Sequence, residues 1–169
     1  MNNSIPVLGF TATSGTGKTT LMEKVIANLS KGGLSVAAIK HGHHPADPDI
    51  PGKDTHRFRQ AGAETVMFAS KERWFMIQEL QNREEPTLSQ QIARLSDHDL
   101  ILVEGYKNDN HPKIVLHRSG VSDAEFYLKL SNVVAIATDA PNNLETSITT
   151  LPLNEPDKIA NFIKDLFKL

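Results

Sequence analysis

The most specific chemistry in the chain lies in one run, Ala12-Thr13-Ser14-Gly15-Thr16-Gly17-Lys18-Thr19, followed by Thr20. It fits the phosphate-loop pattern G-x-x-x-x-G-K-[ST], with Ala12 in place of the first glycine. Gly15 and Gly17 let the backbone curl so that its N–H groups converge on phosphate oxygens. A helix starting near Lys18 adds its positive dipole end at the same place. Lys18 supplies a mobile cation for the β- and γ-phosphates, Thr19 a hydroxyl ligand for Mg²⁺, and Thr20 a contact for the α-phosphate. The plain alternative is a glycine-rich turn that only ends a strand.

A second group of residues completes a nucleotide site. Leu100-Ile101-Leu102-Val103-Glu104-Gly105 is an apolar strand ending in a carboxylate. Such a strand end faces the ligand side of a parallel sheet, where Glu104 could hold Mg²⁺ through water or orient an attacking water. Lys18 and Glu104 are therefore the candidate catalytic pair. Asp139 follows the late apolar strand Val133–Ala137, where a carboxylate could accept from guanine; a turn-forming role is equally open. Lys40-His41-Gly42-His43-His44 leaves the second strand and runs into a loop with Lys53, Asp54 and Arg57. Lys40, Lys53 and Arg57 could meet phosphates and Asp54 could approach Mg²⁺. Two other readings stay open, a transition-metal site on the clustered His and Asp, and a solvated surface loop.

These residues need a frame, and the pattern of the chain supplies one. Pro6–Thr11 and Val36–Ile39 read as buried strands around a helix carrying Leu21, Met22, Val25, Ile26 and Leu29, which stops at Gly32-Gly33. Strand, helix, strand is a βαβ unit and implies a parallel sheet. A short helix is expected over 54–61. Thr65–Ala69 and Trp74–Gln78 read as a hairpin turning at Ser70–Arg73. Thr87 and Gln90 form a capping box before an apolar face of Leu88, Ile92 and Leu95. Lys113–Leu116 is a further strand, and Asn154 is the expected cap of a last helix with Ile159, Phe162, Ile163, Leu166 and Phe167. The fold class is α/β: a P-loop NTPase-like, mostly parallel sheet flanked by helices, with an inserted β-hairpin, in one domain over 1–169.

Bulk composition narrows the classes. At 169 residues and 39% hydrophobic content the chain can bury a substantial core. A net charge of -2 removes the electrostatic case for a nucleic-acid partner. No apolar run approaches the roughly 20 residues of a membrane helix, and the first residues lack a signal-peptide pattern. The absence of cysteine excludes disulfides and fits a reducing cytoplasm.

Together these segments resemble the molybdopterin-guanine dinucleotide biosynthesis protein B family. The matching stretches are Ser14–Thr20, Ile39–His44, Pro51–Asp54, Ala61–Ala63, Leu100–Lys107 and Lys113–Val115, in order over most of the chain. The resemblance implies a cytoplasmic, homodimeric GTP-binding protein with weak Mg²⁺-dependent GTPase activity. It implies a supporting role when GMP is joined to molybdopterin, with the guanylyltransferase (protein A of the pathway) as partner. Lys18 and Thr19 would hold phosphates and Mg²⁺, with Asp54 and Glu104 as the acidic candidates. The hairpin, with Val66, Phe68, Trp74 and Phe75, is implied to take part in dimerisation; the alternative is that these side chains fill the protomer core. Two other classes use the same residues: a small-molecule P-loop kinase, for which Arg83, Arg94 and Arg118 could supply a lid, and a pterin-cofactor carrier with nucleotide as a switch.

Overall fold

A computed structural model describes residues 5–42, 46–123 and 125–169. The chain forms two compact units, Met1–Gly42 with Leu88–Leu169, and His43–Thr87.

The first unit is built on six strands: β1 (Val7–Thr11), β2 (Val36–Lys40), β5 (Leu100–Glu104), β6 (Lys113–His117), β7 (Val133–Thr138) and β8 (Thr150–Pro152). β3 and β4 belong to the second unit. The order across the sheet is β2-β5-β1-β6-β7-β8, with every neighbouring pair parallel. The strands are nearly uninterrupted apolar runs because both faces are covered. Alternate residues serve opposite layers. Leu8, Phe10, Leu100, Leu102, Ile114 and Leu116 meet α1 (Lys18–Lys31) and α4 (Pro156–Phe167) through Leu21, Val25, Ile159 and Ile163. Ile101, Val103, Ala37 and Ile39 meet α3 (Leu88–Ile92) through Leu88. Val115 and Ile136 pack with Tyr127, which lies in a 3-10 turn over Phe126–Lys129. Among the described residues no helix is long and apolar enough to cross a membrane.

A buried basic pair marks the start of β6. Lys113 is fully buried, and its ammonium donates to the carbonyls of Asp109, His111 and Ser131 at 2.5, 2.9 and 3.0 Å. Burial lowers its pKa. Beside it, the His111 ring lies over Gly9; a Cβ there would stand 2.3 Å from His111 Nε2. Glycine is thus required at position 9 by close approach rather than by backbone angle.

One expectation is corrected, and one strand is added. β8 is a strand the sequence pattern did not mark. Asn154 does not cap α4: the N-cap is Glu155, without a side-chain cap bond, and Pro156 takes the first helical position. Proline's fixed φ and missing N–H suit that position, so it sets the helix start one residue later.

The second unit contains α2 (Asp54–Gln60) and the antiparallel pair β3 (Thr65–Ala69) and β4 (Trp74–Gln78), as the sequence predicts. Its centre is Arg59, 7% exposed, which donates to Asp47, Asp49 and Glu79 at 2.6 to 3.2 Å. The guanidinium fork satisfies three carboxylates at once. The Ser70 hydroxyl closes the hairpin turn by donating to the Arg73 carbonyl and accepting the Glu72 and Arg73 N–H groups. Val66 is buried, but Met67, Phe68, Trp74 and Met76 are exposed by 41 to 68%. Phe68 and Phe75 stack at 5.3 Å. The hairpin aromatics therefore do not fill the protomer core.

Candidate functional site

All six strands run in parallel, so their C-terminal ends share one edge of the sheet, where an open α/β sheet binds its ligand. The run 12–17 lies there between β1 and α1. Gly15 has φ +81° and Gly17 has φ +92°. Both are in the left-handed region that costs an L side chain roughly 1–2 kcal/mol. The two glycines of the loop thus fall where the backbone demands them. Ala12 keeps an ordinary φ and packs against the core, which explains why alanine serves in place of the first glycine.

The loop side chains divide in two. Ser14, Lys18, Thr19 and Thr20 reach or approach the surface. Thr16 is turned inward, 1% exposed, and its hydroxyl donates to the Thr13 carbonyl at 2.8 Å. It shapes the loop with its side chain and leaves only its main chain for a ligand.

Glu104 ends β5 and is joined directly to Lys18, with Nζ to Oε1 at 2.9 Å. Lys40 ends β2 opposite Glu104 in the strand register, and its ammonium is 3.9 Å from the same oxygen. The turn after Glu104 is tightly constrained. Gly105 has φ +100°, and a Cβ there would stand 2.8 Å from the Cβ of His41. The His41 N–H donates to the Glu104 carbonyl at 2.8 Å, and its ring lies tilted against Tyr106 with centroids 4.5 Å apart. The segments 39–42 and 103–106, far apart in sequence, are one structural feature.

A third strand end reaches the phosphate loop through Arg118, which the sequence reading named only as a lid candidate for a kinase. Arg118 follows β6 directly. Its Nε donates to the Thr16 carbonyl at 3.1 Å, and its Nη1 stands 3.6 Å from Asp139 Oδ2. The Ser122 hydroxyl lies 3.3 to 3.4 Å from the hydroxyls of Thr16 and Thr13 and accepts the Arg118 N–H at 3.0 Å. Asp139 Oδ1 accepts the Ser119 N–H at 2.9 Å. Asp139 thus holds the loop after β6, and that loop braces the phosphate loop. The signal in sequence is Arg118's place just after a strand that ends at the ligand edge.

Lys53 and Asp54 lie in the second unit, where Lys53 is the N-cap of α2 and Asp54 its first residue, 3.9 Å from Arg57. His43 and His44 lie outside the described residues. Among the described residues no three His, Asp or Glu side chains are grouped to hold a metal ion.

The donor set at the sheet edge suits a magnesium-bound phosphate chain. Glycines at positive φ, a lysine, a threonine hydroxyl at the helix start and a carboxylate supply hard oxygen donors and compensating charge.

The family model for molybdopterin guanine dinucleotide synthesis protein B matches residues 7–139. A molybdopterin-guanine dinucleotide biosynthesis adapter protein of Escherichia coli is 42% identical, over 94% of this chain and 91% of its own length. One of Haemophilus influenzae is 40% identical, over 98% of this chain and 91% of its own length. A crystal structure of a molybdopterin-guanine biosynthesis protein B superposes with a TM-score of 0.76 at 26% identity, covering 96% of this chain and 99% of that one. The family match and the two relatives, with the same fold seen in a solved member, show that the chain belongs to the molybdopterin guanine dinucleotide synthesis protein B family.

Proposed function

We propose that this protein is a GTP-binding adapter in molybdenum cofactor biosynthesis, supporting the conversion of molybdopterin to molybdopterin guanine dinucleotide. The observation that carries the nucleotide part is the Lys18–Glu104 pair beside a loop whose two glycines take the angles of a phosphate cradle. The pathway comes from the adapter proteins that this chain resembles over nearly its whole length.

In this reading the N–H groups of residues 14–19 surround the β-phosphate, and Lys18 turns from Glu104 to the β- and γ-oxygens. Thr19 and Glu104 are the oxygen donors that would hold Mg²⁺, directly or through water. When bound, the ion supplies positive charge to the β- and γ-oxygens. Glu104, released from Lys18, orients a water toward the terminal phosphate. In this reading hydrolysis is slow, as the resemblance implies. For Lys53 and Asp54, roles toward phosphate and metal rest on the sequence alone.

The same reading makes the protein a cytoplasmic homodimer joined through the exposed hairpin, with the guanylyltransferase and molybdopterin as partners. A kinase is less well supported. Arg118 is tied to the phosphate loop, and Arg83 is paired with Glu64.

The test is reconstitution. The guanylyltransferase is supplied with molybdopterin and GTP, with and without this protein, and dinucleotide formation is followed. The parent should raise the yield and Lys18→Ala should not. Equal stimulation by both would show that nucleotide binding here is not part of the function.

A further inference from the structure

Directly after Glu104 the chain turns through two residues in the left-handed region, Gly105 at φ +100° and Tyr106 at φ +47°. Glycine takes such an angle freely, whereas an L side chain there is strained by roughly 1–2 kcal/mol. Among the described residues five non-glycines have positive φ, and Tyr106 is the only aromatic one. Backbone strain of this kind persists where the surroundings over-determine it, and it gathers at functional sites.

The contacts that hold Tyr106 come from three segments. Its carbonyl accepts the Asp109 N–H at 3.0 Å, which closes the turn. Its ring lies against that of His41, the residue that follows β2. Its hydroxyl accepts from the Gln91 amide in α3. The half-buried side chain also packs on the apolar cluster of Leu88, Ile101 and Val103. One side chain thus fastens the end of β5 to the exit of β2 and to α3.

We propose that Tyr106 is a positioning residue for Glu104: the turn it fastens fixes where that carboxylate stands once Lys18 has left it. The inference rests on the reading of Glu104 as the group that orients water. In the structure Glu104 Oε1 is held by Lys18 at 2.9 Å and approached by Lys40 at 3.9 Å. When Lys18 turns to phosphate, the closer of these two cations is gone. Lys40 is 67% exposed, and an exposed ammonium fixes little. The backbone on either side of Glu104 must then do the fixing. Within the sheet the register does so, with Glu104 between Phe10 and Lys40. Beyond the sheet it is the turn that Tyr106 holds. A shift of about 1 Å at a reacting group costs as much as about 10²-fold in rate. Phosphate itself is bound by residues 14–20, so Tyr106 acts on turnover and not on affinity.

The experiment measures single-turnover GTP hydrolysis and, by calorimetry, GTP affinity, both with Mg²⁺. The proteins are the parent, Tyr106→Gly, Tyr106→Phe, His41→Ala, Glu104→Gln and the double variant Glu104→Gln with Tyr106→Gly. Glycine accepts the turn angle but removes the ring, and phenylalanine keeps the ring. His41→Ala removes the facing ring and keeps the Cβ that Gly105 approaches, so it carries the test if Tyr106→Gly folds poorly. Tyr106→Gly and His41→Ala should slow hydrolysis by about tenfold or more, with GTP affinity within a few-fold of the parent. Tyr106→Phe should keep most of the parent rate. In the Glu104→Gln background Tyr106→Gly should slow hydrolysis no further, because the group it positions is gone. Parent rates in Tyr106→Gly and His41→Ala, a loss of affinity that matches the loss of rate, or a full further loss in the double variant would overturn the positioning role while Glu104 keeps its own. Parent hydrolysis in Glu104→Gln would overturn the reading of Glu104, and this inference with it.

Discussion

The Lys18 ammonium donates to Glu104 Oε1 at 2.9 Å across a sequence separation of 86 residues. This pair joins the phosphate loop to the end of β5. A cation that must reach phosphate is held by the carboxylate that must reach metal and water, so one exchange of partners frees both.

Glu104→Gln therefore separates binding from turnover. It removes the charge that competes with phosphate for Lys18, so GTP affinity should stay within a few-fold of the parent. Single-turnover hydrolysis should fall by about 10²-fold, the lower range for loss of a positioned acid–base group. Equal hydrolysis by mutant and parent would take Glu104 out of the mechanism.

Gly9→Ala tests the approach of His111 to β1. The added methyl meets the ring at 2.3 Å, and a buried ring packed against β1 has little room to move. Overpacking of this kind costs about 1–3 kcal/mol. Denaturant unfolding should show that loss, and the double variant Gly9→Ala with His111→Ala should recover part of it.

Acid should weaken the two units in different pH ranges. Burial lowers the His111 pKa, and the neighbouring Lys113 charge lowers it further. Its folded form stays neutral where the unfolded chain takes up a proton, so its contribution is present above about pH 6.5 and is lost as pH falls below it. In the second unit the Arg59 hydrogen bond lowers the Asp47 pKa. For Asp49 burial acts upward, but hydrogen bonds from Thr55 and Arg59 outweigh it and the net shift is also downward. Their contribution is full above the ordinary carboxylate value and is lost only as pH falls through the lowered values, below about 4. Hydrogen exchange should show the amides of β6 losing protection at pH 5–6 in the parent but not in His111→Gln. The β3–β4 amides should hold until more acid conditions.

Trp74 is 68% exposed and Met67 62% exposed on a hairpin rich in apolar side chains. If the hairpin joins two copies, Trp74→Lys should shift the sedimentation coefficient from dimer to monomer at micromolar concentration while the circular dichroism spectrum is kept. A variant that sediments like the parent would place the dimer contact elsewhere.

Much of this was legible in the residues because it depends on local pattern. The strand–turn–helix from Val7 to Lys31 follows from apolar periodicity and from glycines at 15 and 17, and the hairpin strands fall at the predicted residues. Glu104 was placed at a strand end by the apolar run before it. What escaped depends on contacts between distant segments. Arg118 carries no motif, and its bond to Thr16 spans 102 residues. β8 has only three residues and gains its identity from pairing with β7. Lys113 reads as an ordinary strand residue until three carbonyls are seen to surround its ammonium.

The most direct test of the central claim is calorimetric titration of GTP with Mg²⁺ into the parent and into Lys18→Ala, with ATP as competitor. Lys18 is partly exposed, so its truncation should leave the fold intact by circular dichroism. The parent should bind GTP in preference to ATP, and Lys18→Ala should show no measurable heat of binding. A folded Lys18→Ala that binds GTP with the parent's affinity would contradict the assignment of this loop as the phosphate site.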